Sequence, residues 1–234
     1  MSTIAIVGGH GKIALLLTER LSSAGHTVLN VVRDARHEPD VLERGGTPLL
    51  ADLEAANAVE HLTERFQNAD AVVFAAGAGG GSGVARKHTV DYLGSVRSAD
   101  AAVAAGVRRF VQISFIGAEQ DELGLDDEVF TAYHHAKRDA DRALQSRDDL
   151  DWTIVRPGRL TDDPACGSVA LGTGFARRTA EGGASDSITR ADVAALLQAV
   201  LDEPGTVGRA IDALEGTAAI AAAVAQLFGV PQSR

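Results

Sequence analysis

The chain lacks most of what would place it outside the ordinary intracellular class. One cysteine, Cys166, among 234 residues excludes an internal disulfide and a cysteine-rich metal centre. The seven histidines have no ligand spacing. His134 and His135 are neighbours, and adjacent helical residues point apart, so no metal is expected. No apolar run approaches the ~20 residues that cross a bilayer. Met1-Ser2-Thr3 leads directly into an apolar run rather than a targeting segment, and a cytoplasmic location is expected. Positive charge is scarce: 22 Lys+Arg against 32 Asp+Glu give a net charge of −10. Such a surface repels phosphate backbones and anionic lipid, which argues against nucleic-acid and membrane partners and leaves a small molecule. Linkers and solenoid repeats are missing too, so one domain over 1–234 is expected. The subunit number, monomer or homodimer, stays open.

What is present begins at the amino terminus. Ile4 to Val7 is an apolar run, as in a strand buried on both faces, and Gly8, Gly9 and Gly11 follow it. An amphipathic helix opens at Gly11, Lys12 and Ile13, and Val28 to Val32 makes a second apolar strand. The glycines fit two frames, Gly8-x-x-Gly11-x-x-Ala14 and Gly9-x-Gly11-x-x-Ala14, each ending on a small residue for close helix–strand packing. The free amides and dipole of a helix start attract a diphosphate, so strand, glycine turn and helix together predict a dinucleotide cradle.

The alternation continues. Strands are predicted at Pro48–Ala51, Asp70–Ala76, Arg109–Phe115 and Trp152–Val155, the last stopped by Arg156-Pro157-Gly158. Helices are predicted at Ala55–Phe66, Val90–Ala105 (ended by Gly106) and Phe130–Ser146. Past Leu160 the pattern loosens, with a helix over Ala191–Leu201 begun near Thr189, an edge strand at Arg209–Ala213 and a last helix at Ala218–Phe228. Ile220, Val224, Leu227 and Phe228 make a core-facing stripe on that last helix. Strands joined by helical crossovers imply an α/β fold: a doubly wound parallel sheet with helices on both faces and ligands at the carboxyl ends of the strands.

Two residue groups carry chemistry. Arg33 and Asp34 end the second strand, where such folds meet the adenosine ribose. A carboxylate there suits a free 2′-hydroxyl and an arginine suits a 2′-phosphate; with Arg36 close behind, NADP is favoured and NAD remains open. Asp52 and Leu53 follow the third strand, flanking the adenine or starting the next helix. The second group is Tyr133 and Lys137, four apart on one helix face. With only two tyrosines and three lysines in the chain, that spacing is uncommon by chance. An ammonium near a phenol favours its ionised form, so the pair could exchange a proton with a carbonyl or alcohol. Ser114, ending the fifth strand, could hydrogen-bond the same oxygen. The plainer alternative is a strand-end serine beside an exposed helical ion-pair face that includes Asp141. The acidic run Glu119–Glu128 reads as a solvated loop, although overhanging the pocket it would disfavour anionic substrates. The tract from Gly77 to Gly83 reads as a flexible cleft wall or a mobile loop.

GGHGKIA, FAAGAG, RFVQISFIGAE, YHHAKRDADRAL, TIVRPGRLTDDP and ITRADVA together resemble the short-chain dehydrogenase/reductase superfamily, in its atypical NAD(P)-binding branch near the NmrA-like and biliverdin-reductase-B-like proteins. The resemblance spans nearly the whole chain. It implies a Rossmann core with a small substrate-side region from about residue 157. It also implies cofactor contacts at Gly8, Gly9, His10, Gly11, Lys12, Ile13, Arg33, Asp34, Asp52, Leu53, Ala75, Ala76, Gly77, Lys137 and Pro157, and a catalytic group of Ser114, Tyr133 and Lys137. Residues Thr161–Cys166 would border the nicotinamide. Orthodox members carry an asparagine on the helix after strand four, where this chain has Val90-Asp91-Tyr92. The activity expected is hydride transfer between nicotinamide and a small uncharged carbonyl, enone, quinone or alcohol. The alternatives are a non-catalytic NADP(H)-sensing regulator and, third, an epimerase.

Overall fold

A computed structural model describes residues 1–123, 126–175 and 186–229. Strand β1 (Thr3–Val7) is buried from Ile4 to Val7 and pairs in parallel with β2 (Thr27–Val32) on one side and β4 (Ala71–Phe74) on the other. Beyond β2 lies β3 (Thr47–Leu50); beyond β4 lie β5 (Arg109–Ile113) and β6 (Asp151–Pro157), all parallel. The chain reverses direction across the sheet between β1 and β4, which opens a crevice at the strands' carboxyl ends. The result is the Rossmann-type α/β sheet that the sequence pattern predicts.

Helices cover both faces. On one, α1 (Lys12–Ser23), α7 (Arg190–Asp202) and α8 (Ile220–Phe228) bury Leu17, Leu21, Leu196, Leu197 and Val224 against Ile6, Val73 and Ile211. On the other, α3 (Ala58–Arg65), α5 (Leu93–Ala104) and α6 (Glu128–Gln145) pack around Leu62, Phe66, Phe74, Phe110, Leu144 and Ile154. Each fully buried large apolar side chain contributes roughly 1.5–3 kcal/mol of transfer free energy. Helix α7 starts where Thr189 accepts the Asp192 N–H at 3.0 Å, an N-cap at the place the sequence suggests.

The third strand is shifted by one residue from the predicted Pro48–Ala51. β6 extends past Val155 to Pro157, and α3 begins at Ala58 because residues 55–57 form a turn. Helix after β4 starts earlier than Val90: α4 (Val84–Arg86) runs through a π-helical turn (Lys87–Tyr92) into α5. The predicted edge strand at Arg209–Ala213 is an internal one. β10 (Arg209–Ala219) lies between β6, to which it is parallel, and β8 (Ser168–Gly172), to which it is antiparallel. Short β7 (Arg159–Thr161) and β9 (Ser187–Thr189) form a separate parallel pair that the sequence does not announce. On α8, Ile220 and Val224 face the core but Leu227 is 52% exposed, so the predicted stripe is narrower.

Candidate functional site

The glycine turn is built by steric necessity. Gly8 has φ +78°, and a Cβ there would lie 2.5 Å from Ala76 Cα; a Cβ on Gly9 would lie 2.6 Å from Asn30 Cβ. Both glycine frames are therefore used at once, with Ala14 buried behind them. Asn30, absent from the sequence reading, braces the turn: its Nδ2 donates to Gly9 O at 2.9 Å and to Thr18 Oγ1 at 2.8 Å. Gly11 is the extended N-cap of α1 and offers no side chain to the first amides. Those amides stay available, which fits a diphosphate.

A cleft of about 270 Å³ runs from this turn over the ends of β2, β3 and β4, lined by Gly8, Gly9, His10, Gly11, Arg33, Asp52, Leu53, Ala75, Ala76 and Gly77 among others. Of the cleft's ionisable lining residues, sequence reading missed three, His37, Glu54 and Arg86. Glu54 accepts hydrogen bonds from Thr89 Oγ1 (2.6 Å) and Arg86 Nη2 (2.9 Å), with Arg33 Nη1 at 3.6 Å. The Thr89 hydroxyl foremost, then Arg86 and Arg33, hold its carboxyl below the usual range. His10 stacks on His37 at 3.8 Å and meets Asp40 at 2.6 Å. Asp34 does not line the cleft: it caps the short 3₁₀ turn Ala35–His37 and binds Arg36, which holds its carboxyl far below the usual range. Asp52 accepts the Glu54 N–H at 2.9 Å.

A second pocket, of about 510 Å³, shares Ala75, Ala76 and Gly77 with the first. Ser114, Tyr133, Lys137 and Ile13 all line it. Ser114 N–H donates to Val155 O at 2.8 Å. Its Oγ is buried without a well-formed hydrogen bond, although it is close enough to Asp141 to help hold that carboxyl down. A buried hydroxyl that lines a pocket and has no well-formed hydrogen bond of its own can still take a ligand oxygen. Lys137 Nζ donates to Ile113 O at 2.7 Å. Tyr133 packs against Phe115 and Phe130, with ring centroids 5.2 and 5.8 Å away.

The electrostatics differ from the sequence expectation. Burial, then the carboxylates of Asp91 and Asp141, push the Tyr133 phenol up rather than toward ionisation. Burial pulls the Lys137 ammonium down, opposed by the same two carboxylates. Asp141 belongs to no exposed face. It is 1% exposed, accepts Gln112 Nε2 at 2.8 Å and pairs with Arg156 Nε at 2.9 Å, while Gln112 also accepts the Ser95 hydroxyl. Burial raises the Asp141 carboxyl against the pull of Arg156.

The π-helical turn supplies the rest of the wall. Asp91 Oδ2 accepts the Ala78 N–H at 3.0 Å, and Lys87 Nζ donates to Gly79 O at 2.8 Å, so the glycine tract is pinned at its start. Lys87 and Asp91 are buried. Asp91 stands in the stretch where orthodox relatives of the fold place an asparagine. The missed signal was the absence of any breaker between Gly83 and Gly94.

Four expected contributors lie outside both pockets. Pro157 is buried in β6, where its carbonyl accepts the Ile116 N–H at 3.0 Å. Lys12 Nζ pairs with Asp162 at 2.5 Å, which Arg190 also holds at 2.8 Å. Asp34 is occupied as described. Cys166 sits by α7, its N–H and Sγ 3.0 and 3.2 Å from Asp192 Oδ2, and not beside the nicotinamide side. Part of the acidic run is met locally: Glu119 lies 3.3 Å from Arg156, Asp121 2.7 Å from Arg142, and Asp127 caps α6. From residue 157 onward, Leu160 is the described residue that reaches the pocket. Among the described residues no His, Cys, Asp and Glu cluster is placed to hold a metal, and no helix is long and apolar enough to cross a membrane.

Comparison with known proteins agrees with this geometry. A family model described as NAD(P)H-binding matches residues 8–204. The chain is 32% identical over 225 residues, 96% of this chain and 99% of the other, to a Bacillus subtilis protein named as an uncharacterized sugar epimerase, YhfK. A solved Bacillus halodurans structure, titled a putative NAD-dependent epimerase/dehydratase, superposes with TM-score 0.86 at 32% identity, covering 97% of this chain and all of that one. The oxidoreductase ylbE of Lactococcus lactis superposes with TM-score 0.82 at 26% identity over 99% of both chains. With the glycine turn, the switch-point crevice and the match across most of its length, the chain belongs to the NAD(P)H-binding family and fits the atypical short-chain dehydrogenase/reductases.

Proposed function

We propose that the protein is an NADPH-dependent oxidoreductase that reduces a small carbonyl compound. Bound in the trough, the nicotinamide would supply the hydride. The amides at the start of α1 would hold the diphosphate, and Arg33 and Arg86 the 2′-phosphate. Lys137 would bind the nicotinamide ribose. Ser114 Oγ would orient the substrate oxygen, and Tyr133 Oη would give it a proton. Burial and the two carboxylates keep the phenol in the protonated form that donation starts from. Residues from about 157 would contribute Leu160 to the substrate side, within one domain. The single observation carrying this reading is that Ser114, Tyr133 and Lys137 all line one pocket. Tyr133→Phe should cut turnover by ~10²-fold while NADPH affinity stays within about twofold. Unchanged turnover in stopped-flow NADPH oxidation would remove Tyr133 from the reaction.

The names of the Bacillus relatives favour a second reading, epimerisation with the cofactor retained through the cycle. That reading expects tightly held NAD(H) to copurify with the chain and no net NADPH consumption with any carbonyl substrate.

A further inference from the structure

Besides Tyr133, four ionisable side chains among the described residues line the substrate-side pocket: Lys87, Asp91, Asp127 and Lys137. Three already have a role, Lys137 that of holding the nicotinamide ribose on the reading above. Asp127 caps α6 through the Phe130 N–H at 2.9 Å. Lys137 donates to Ile113 O, and Asp91 accepts the Ala78 N–H while its negative charge acts on Lys137. Lys87 is left over. It is 6% exposed, donates to Gly79 O at 2.8 Å, lies 5.5 Å from the Tyr133 ring centroid, and forms no ion pair among the described residues.

An ammonium taken out of water is costly unless an anion meets it, and one neutral carbonyl is a poor substitute. The glycine turn lines the other cleft and not this pocket. A diphosphate seated there therefore does not supply the missing anion. Of the acidic run Glu119–Glu128, Asp127 alone lines this pocket among the described residues, and it faces the Phe130 amide. Lys87 also lies over the Tyr133 ring, 5.5 Å from its centroid, so an anion on Lys87 and a carbonyl at the Tyr133 hydroxyl are within the span of one small molecule.

We propose that Lys87 anchors a substrate carboxylate, and that the substrates are small oxo acids rather than uncharged carbonyl compounds. The inference rests on the oxidoreductase reading above and deepens it. Lys87 and Asp91, four residues apart, both lie in the π-helical turn and line the same pocket, and π turns recur at functional sites.

The test compares 2-oxobutanoate, 2-oxo-4-phenylbutanoate and acetoacetate with their methyl esters, read as shifts in the melting temperature of the NADP⁺-loaded protein and as NADPH oxidation. The acids should raise the melting temperature and be reduced at least tenfold more efficiently than the esters. Lys87→Met should abolish that preference, keep NADP⁺ affinity, and melt at or above the wild-type temperature without ligand, because an unpaired buried charge has been replaced by an apolar chain of similar length. Equal responses to acids and esters, no response to any acid, or an acid preference that survives Lys87→Met would each overturn the proposal. So would a Lys87→Met protein that melts several degrees lower, which would mark the lysine as a pin for Gly79. Failure of NADP⁺ to bind at all would instead overturn the cofactor reading on which the proposal stands.

Discussion

The two ends of the trough are built on opposite principles. At the adenosine end, shape comes from main chain: glycines pressed against Ala76 and Asn30, with Arg33, Arg86 and Glu54 already paired with each other near solvent. At the other end, shape comes from charge out of water: Lys87, Asp91, Lys137, Asp141 and Arg156 are all buried. An exposed ion pair contributes little and is readily exchanged for another anion. A buried one is strongly position-specific, because removing one partner strands the other. The first end is therefore suited to holding a cofactor that comes and goes, and the second to fixing reacting groups.

The comparison breaks most visibly at its buried end. Arg156→Met should leave Asp141 uncompensated and cost ~3–5 kcal/mol of stability in urea unfolding, whereas pairing it with Asp141→Leu should recover most of that loss. A loss under about 1 kcal/mol for the single variant would contradict the buried ion pair. Gly9→Ala is the sharpest probe of the main-chain end: a methyl 2.6 Å from Asn30 Cβ should displace the turn, costing ~1–3 kcal/mol and weakening NADPH binding at least ~10-fold by calorimetry. Arg33→Ala has the smallest expected effect. It should weaken NADPH by ~5–10-fold and NADH hardly at all, leaving stability unchanged; equal losses for both cofactors would remove Arg33 from 2′-phosphate recognition.

How much of this was legible in the sequence follows from the range of the interactions. The units from β1 to β6 are local, each strand followed by its own helix, and their patterns show in the residues except for the six-residue α2 (Glu38–Glu43) between β2 and β3, which is too short to show a period. β8 and β10 meet only through pairing across the sheet, with a register shift between Leu214 and Ala218, and the three-residue strands β7 and β9 are too short to show a period. The glycine turn and the Tyr133/Lys137 spacing were readable because geometry ties them to neighbours in sequence. Asp141 was misread because a charged helical residue suggests solvent, and its partner Arg156 lies on a different strand. Lys87 was hidden by the glycine tract ahead of it, which put the predicted helix start at Val90, six residues after the observed one.

One short segment reaches both halves of the trough. Arg86 and Thr89 grip Glu54 beside the adenosine cleft, while Lys87 and Asp91, interleaved with them, grip the Ala78–Gly79 backbone beside the substrate. Like two hands on one axle, these contacts cannot be re-aimed separately: rotating the segment to loosen its grip on one wall disturbs the other.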